Sequence, residues 1–127
     1  MNQQVKEKWT AALRSGDYRQ GTHALRKTLP DGSQQHCCYG VLCELAVKEG
    51  VIPDPKPYVF DTSRAAFESL GVHYGVTSTL PRAVEIWADL ESFQEAKIGD
   101  EITNLMKHND DHNATFAQIA DAVEQQF

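Results

Sequence analysis

Between His36 and Lys48 the chain reads CCYGVLCELAV, with Glu44 as its single charged side chain. On a helix, Cys38, Val41, Leu42 and Leu45 fall along one stripe with Ala46 at its margin, and Gly50 supplies a stop. The spacing predicts a buried helix that starts somewhere from Ser33 to Gln35 and against which the other elements must pack. A chain of 127 residues is long enough to bury one core, so a single globular domain over 1–127 is expected. Hydrophobic residues at 41% and charged ones at 24% exclude the disordered class.

Other segments repeat the helical period. Val5, Trp9, Ala12 and Leu13 predict a helix over 3–14 that stops at Ser15-Gly16. The polar stretch 17–35 reads as an irregular piece and a loop, with a turn at Leu29–Gly32 and Tyr18 and Leu25 as anchors. Prolines 53, 55 and 57 forbid a continuing helix. Beyond them YVF (58–60) reads as extended, Thr62–Leu70 as a weak helix ending at Gly71, and VHYGV as a short strand pairing with YVF. Thr79 as N-cap and Pro81 in the first turn open a helix to about residue 90, with Val84, Trp87, Ala88 and Leu90 on one face. Ile98–Lys107 reads as a further helix with Ile102, Leu105 and Met106 inward. Thr115 and Gln118 form a capping box for a last amphipathic helix carrying Phe116, Ile119, Ala120, Val123 and Phe127. The expected fold class is mainly α: a compact bundle of about five helices, with room for a small β-hairpin in the middle.

The net charge of −6 is unevenly spread, since residues 1–30 hold six basic side chains (Lys6, Lys8, Arg14, Arg19, Arg26, Lys27) against Glu7 and Asp17. An acidic chain of this kind is a poor match for duplex nucleic acid, which demands a basic face, whereas a small phosphorylated ligand remains open. No apolar run approaches the roughly 20 residues that span a bilayer, and MNQQVKEKW lacks a signal-peptide pattern. A soluble, cytoplasmic protein with no membrane contact is expected. Three cysteines, two of them adjacent, argue for reduced thiols.

The cysteines and the loop expected at residues 108–113 could serve three chemistries. Cys37 and Cys43 leave a helix on opposite sides of its buried stripe and cannot share one zinc ion, so neither metal nor cofactor is expected. Cys37 in a first helical turn would feel the positive end of the helix dipole; as a nucleophile it would need His23 and Asp110 as base and orienting group. HNDDHN at 108–113 fails as a calcium loop, because Ala114 and Ala120 stand where glycine and a chelating glutamate are required. For an anion, Arg14, Arg19, Arg26 and Lys27 offer charge, Tyr18 or Tyr39 a stacking surface, and the amides around His36 and Cys37 a cradle. Gln20, Asn109 and Asp110 complete this candidate ligand-binding set.

Four blocks carry a resemblance: W-x-x-A-L-x-S-G-x-Y-x-Q (Trp9 to Gln20), C-C-x-G-V-L-C-x-L-A (Cys37 to Ala46), L-P-x-x-V-x-x-W-A-x-L (Leu80 to Leu90), and N-D followed by F-x-x-I-A-x-x-x-E (Asn109 to Glu124). Together they resemble a family of small bacteriophage and prophage proteins. The resemblance implies a viral origin and a host bacterial cytoplasm, and it assigns no catalytic residue. His112-Asn113 stands where the family pattern has a glycine soon after N-D. Small accessory phage proteins act on the host by binding. The expectation is therefore a homo-oligomeric protein that sequesters a small phosphorylated, nucleotide-like host signalling molecule used in antiviral defence. The alternatives are a cysteine-dependent hydrolase or transferase using Cys37 and an inhibitor that binds a host protein.

Overall fold

A computed structural model of the chain describes residues 1–69, 72–74 and 79–127, the side chains of residues 68, 69 and 72–74 excepted. In chain order the elements are α1 (Gln3–Arg14), β1 (Lys27–Thr28), β2 (Gln34–Gln35), α2 (Cys38–Lys48), β3 (Lys56–Tyr58), β4 (Asp61–Ser69), β5 (Val72–Tyr74), α3 (Arg82–Ala88), β6 (Glu95–Ile98), β7 (Glu101–Asn104), α4 (Leu105–Asp110) and α5 (Phe116–Gln126). One antiparallel sheet runs β2-β1-β4-β3, with β5 also paired to β4, and β6-β7 is a separate hairpin. The fold is mixed α/β, which corrects the expectation of a mainly α, all-helical bundle.

The helices that bury one face follow their sequence pattern. Asn2 caps α1 by accepting from Val5 N at 3.0 Å, and Val5, Trp9 and Leu13 are buried. Thr115 and Gln118 close the expected capping box on α5, whose Phe116, Ile119, Ala120 and Val123 face inward. These two helices pack on each other, and α1 also lies against α2. Trp9 ties that second contact, donating its Nε1–H to Cys38 O at 3.0 Å and stacking on Tyr39 with ring centroids 6.0 Å apart.

Helix α2 is buried nearly all round, from Cys38 through Cys43 and again at Ala46. A helix with apolar residues on every side belongs at the centre of a core. It starts later than expected, with Cys37 as N-cap. The preceding residues have another use: Gln34 and Gln35 pair with Thr28 and Lys27, and His36 bridges Gln20 in parallel.

The strands correct four expectations. Residues 62–69 belong to β4 rather than to a weak helix; the proposed stop at Gly71 lies outside the described residues. Ala65, Ala66 and Phe67 are consecutive buried residues, the mark of a strand covered on both faces rather than of an amphipathic helix. VHY is a strand, but it pairs with β4, and of YVF only Tyr58 enters β3, which also pairs with β4. Residues 98–104 turn through Gly99-Asp100 between β6 and β7, with Gly99 at φ 62. That conformation at the first of two loop residues suits glycine in a tight hairpin, and it leaves Ile102 62% exposed rather than inward. Helix α3 begins at Arg82 with Pro81 as its cap, so Thr79 is not the N-cap. His108, Asn109 and Asp110 lie in α4 rather than in a connecting loop.

Candidate functional site

The expected anion cradle at the start of α2 is closed by the protein itself. Cys37 N donates to Ala24 O at 3.2 Å, and Cys38 N donates to Asn109 Oδ1 at 3.2 Å. Asn109, 1% exposed, is satisfied on both ends of its amide. Its Oδ1 also accepts from Gln20 Nε2 at 2.8 Å, while its Nδ2 donates to Gly21 O at 2.9 Å and to Asp110 Oδ1 at 2.8 Å. Gln20 continues the network, donating to Ala114 O at 2.8 Å and accepting from Phe116 N at 3.1 Å. Two side chains nominated as ligand contacts thus hold the leading ends of α2 and α5 together, an arrangement in which helix-end amides are satisfied from within.

Of the residues expected for cysteine chemistry, His23 and Asp110 meet, and Cys37 is joined to the neighbouring segment through its backbone. His23 N donates to Asp110 Oδ1 at 3.0 Å, its Nδ1 stands 3.7 Å from Asp110 Oδ2, and Cys37 is bonded through its amide to the next residue, Ala24. His23 sits at φ 61, a left-handed conformation that the bond from its amide to Asp110 helps to hold. The Cys37 side chain nevertheless has no exposed surface. Burial pushes the neighbouring Cys38 and Cys43 thiols well above their ordinary range. Among the described residues no group of three His, Cys, Asp or Glu side chains is placed to hold a metal ion.

The basic side chains of the first thirty residues do not gather at that helix end. Lys6 donates to Phe127 O, Lys8 pairs with Glu49, and Arg14 forks onto Glu124 and Asp121 of α5 at 2.6 and 2.7 Å. Those bonds, Glu124 first, raise the already high Arg14 pKa further. Arg19 is exposed, and its carbonyl accepts from His36 N. Tyr39 is buried with its hydroxyl donating to Ser92 O at 2.9 Å. Tyr18 packs edge-on against His36 and takes the Lys48 ammonium at its hydroxyl, 3.3 Å away. The Tyr39 ring is therefore closed to a ligand, and the half-buried Tyr18 ring also carries the Lys48 ammonium 5.9 Å from its centroid.

Arg26 is placed differently. Its Nε donates to Glu44 Oε1 at 2.7 Å, an oxygen that His36 Nε2 also approaches at 3.2 Å, and its guanidinium lies over Phe67, 5.5 Å from the ring centroid. Beside it opens a cavity of about 260 Å³ whose lining includes Arg26, Thr28, Lys56, Thr62, Ser63 and Arg64, together with Pro55 and Pro57. Three cations and three hydroxyls line this cavity, and no carboxylate does. Glu44 pairs with Arg26, and Asp61 Oδ2 lies 3.5 Å from Arg64 Nε, yet neither acid is part of the lining. Lys27 stands directly across from Arg64 in the β1–β4 pairing. Like charges at facing strand positions repel, so this corner of an acidic protein concentrates positive charge. Of the residues that line the cavity, Arg26 alone belongs to the anion-binding set expected from the sequence. The others meet because β1, β3 and β4 are adjacent strands, which a helical reading of 62–70 conceals.

Glu44 gives the corner a pH dependence. Burial is the largest single influence on its carboxyl and acts upward, but the hydrogen bonds and charges of His36 and Arg26 together outweigh it and hold the group below its ordinary 4.5. A carboxyl depressed in the folded state stabilises the fold above its unfolded value, and that contribution is lost as pH falls through the folded value. Urea titrations between about pH 5 and about pH 3 are therefore expected to show stability falling more steeply in the wild type than in Glu44→Gln. Asp31, Asp61 and Glu124 are also depressed and are unchanged in that variant, so the difference in slope reports Glu44.

The chain belongs to the DUF8296 family, a domain of unknown function, whose family model matches residues 1–127. Comparison with curated proteins and with solved structures finds no match. Among the described residues no helix is long and apolar enough to cross a membrane.

Proposed function

We propose that the protein binds a small phosphorylated molecule in the Arg26–Lys56–Arg64 cavity and holds it without chemical change. The observation that carries this is the lining itself: guanidinium, ammonium and hydroxyl groups around one concavity, with carboxylates excluded from it. Arginine supplies paired N–H donors that match phosphate oxygens, and lysine a point charge. A cavity of about 260 Å³ lies at or below the small end of ligand sites, about 300 Å³. It suits a phosphate or diphosphate with part of a sugar, leaving the remainder of the ligand outside. Binding without turnover is supported by the absence of exposed surface on Cys37. The resemblance to phage proteins supports placing this activity in a host bacterial cytoplasm, where holding a phosphorylated signalling molecule would withdraw it from antiviral defence.

The test is calorimetric titration of pyrophosphate and ribose 5-phosphate into wild type and Lys56→Glu, at low and high salt. Lys56 is exposed, so its reversal should not disturb folding. The expected result is binding that weakens with salt and falls about tenfold or more in the variant, since the cost of a lost charge contact is about 1.5–3 kcal/mol. Wild-type binding that is insensitive to both salt and Lys56→Glu would overturn the proposal, as would no binding at all. Cys37→Ser is expected to leave affinity unchanged and to return ligand of unaltered mass. Turnover by the wild type that vanishes in Cys37→Ser would instead establish the cysteine enzyme.

A further inference from the structure

The strand that contributes Lys56 and Pro57 to the cavity continues into a tip that folding alone does not account for. Tyr58 pairs with Asp61, so Val59 and Phe60 form a two-residue connection between β3 and β4. Such connections favour Asn, Asp and Gly, which accept the left-handed conformations of the tightest hairpin turns. Here both positions are large and apolar, 77% and 85% exposed, and neither is among the residues with positive φ. A shift in register between Pro57 and Tyr58 accommodates the turn, and such bulges re-aim the side chains beyond them. Phe60 is held edge-on by Tyr58, with ring centroids 5.5 Å apart and planes at 68°. An exposed aromatic ring braced by a second ring is a prepared contact surface, and one that costs little to order on binding.

We propose that Phe60, braced by Tyr58, is the platform on which the base of a nucleotide stacks when the phosphate of that nucleotide occupies the Arg26–Lys56–Arg64 cavity. The inference rests on the phosphate-binding reading and specifies its ligand as a nucleotide rather than a sugar phosphate. Reach supports it: three residues of chain separate Pro57 of the cavity lining from Phe60, at most about 11 Å even when fully extended, which is the scale of one nucleotide. Chemistry supports it too, since every base offers a π-face to an aromatic ring and a cationic groove beside such a ring takes the backbone. Of the rings expected from the sequence, Tyr39 is buried and Tyr18 is half-buried and engaged by His36 and Lys48, so the exposed stacking surface comes from this hairpin.

The experiment compares adenosine 5′-monophosphate, guanosine 5′-monophosphate and ribose 5-phosphate on wild type, Phe60→Ala, Phe60→Trp and Val59→Ser. Both positions are exposed, so all four proteins are expected to fold, and far-ultraviolet circular dichroism checks this. The nucleotides should bind the wild type about tenfold or more tightly than ribose 5-phosphate, the increment expected of one stacked base. Phe60→Ala should abolish that increment and leave ribose 5-phosphate binding unchanged. Phe60→Trp should keep it, and Val59→Ser should leave all three affinities alone. Equal affinity of the wild type for nucleotides and ribose 5-phosphate would overturn the platform and leave the phosphate site standing. So would a nucleotide preference that survives Phe60→Ala. Failure of all three probes to bind overturns the phosphate site and the platform together.

Discussion

Gly40→Ala is expected to prevent stable folding, although the same exchange at most mid-helix positions stabilises a protein. A glycine inside a helix costs about 0.5–1 kcal/mol relative to alanine, so propensity alone predicts a gain. The surroundings reverse it. A Cβ on Gly40 would lie 1.7 Å from Leu25 O, 2.6 Å from Leu25 C and 3.0 Å from Leu25 Cα. All three are backbone atoms, and no rotamer change can withdraw them. Relief requires α2 to move off the segment around Leu25, which breaks the bond from Cys37 N to Ala24 O and opens the packing of Leu25 and Tyr39, both without exposed surface. Overpacking that side chains can absorb costs about 1–3 kcal/mol. A clash with fixed backbone belongs above that range, at about 4 kcal/mol or more, which is a large part of a small domain's stability. Urea denaturation and near-ultraviolet circular dichroism measure it. A Gly40→Ala protein as stable as the wild type would show that α2 and the Leu25 backbone do not touch.

The sequence announces elements that bury one face and end in recognisable caps. Helix α1 has Val5, Trp9 and Leu13 on one side and Ser15-Gly16 after it; α5 has its Thr115–Gln118 box. The structure keeps both within a residue of the expected bounds. Elements covered on both sides carry no period to read. Ala65, Ala66 and Phe67 suit a helix and a central strand equally, and only the partners β1, β3 and β5, distant or short in sequence, decide for the strand. Gly99-Asp100 is a turn signal that the apolar spacing of Ile98, Ile102 and Leu105 outweighs on paper; the structure has the hairpin, with Gly99 at positive φ and Ala96 packed inward from β6. The site divides in the same way. Arg26 stands out by charge near the cysteine helix, but Lys56, Thr62, Ser63 and Arg64 look like ordinary surface residues until strand pairing brings them together. Asn109 and Gln20 stand out as unusual polar residues, and their role is to tie helix ends rather than to meet a ligand.

Asn109→Ala is expected to destabilise the fold by about 3 kcal/mol, and Asn109→Asp by nearly as much. The amide makes four hydrogen bonds from a position 1% exposed. Each is worth about 1 kcal/mol net, and truncation leaves Cys38 N and Gly21 O without this partner, while Gln20 Nε2 keeps its bond to Ala114 O. Aspartate separates two opposing effects. It keeps an acceptor for Cys38 N and Gln20, and a negative charge at the start of α2 gains up to about 2 kcal/mol from the helix dipole. Against this, it cannot donate to Gly21 O when ionised, and it faces the Asp110 carboxylate that Asn109 Nδ2 now touches at 2.8 Å. A buried carboxylate without a cationic partner costs several kcal/mol, so loss should prevail over gain. Urea denaturation gives the sum, and hydrogen exchange at the Cys38 amide localises it. If Asn109→Asp matched the wild type in both, the cap on α2 would be electrostatic and the bonds to Gly21 and Asp110 incidental; loss of stability with faster Cys38 exchange in both variants identifies the amide as the clamp between α2, α4 and the Gln20 segment.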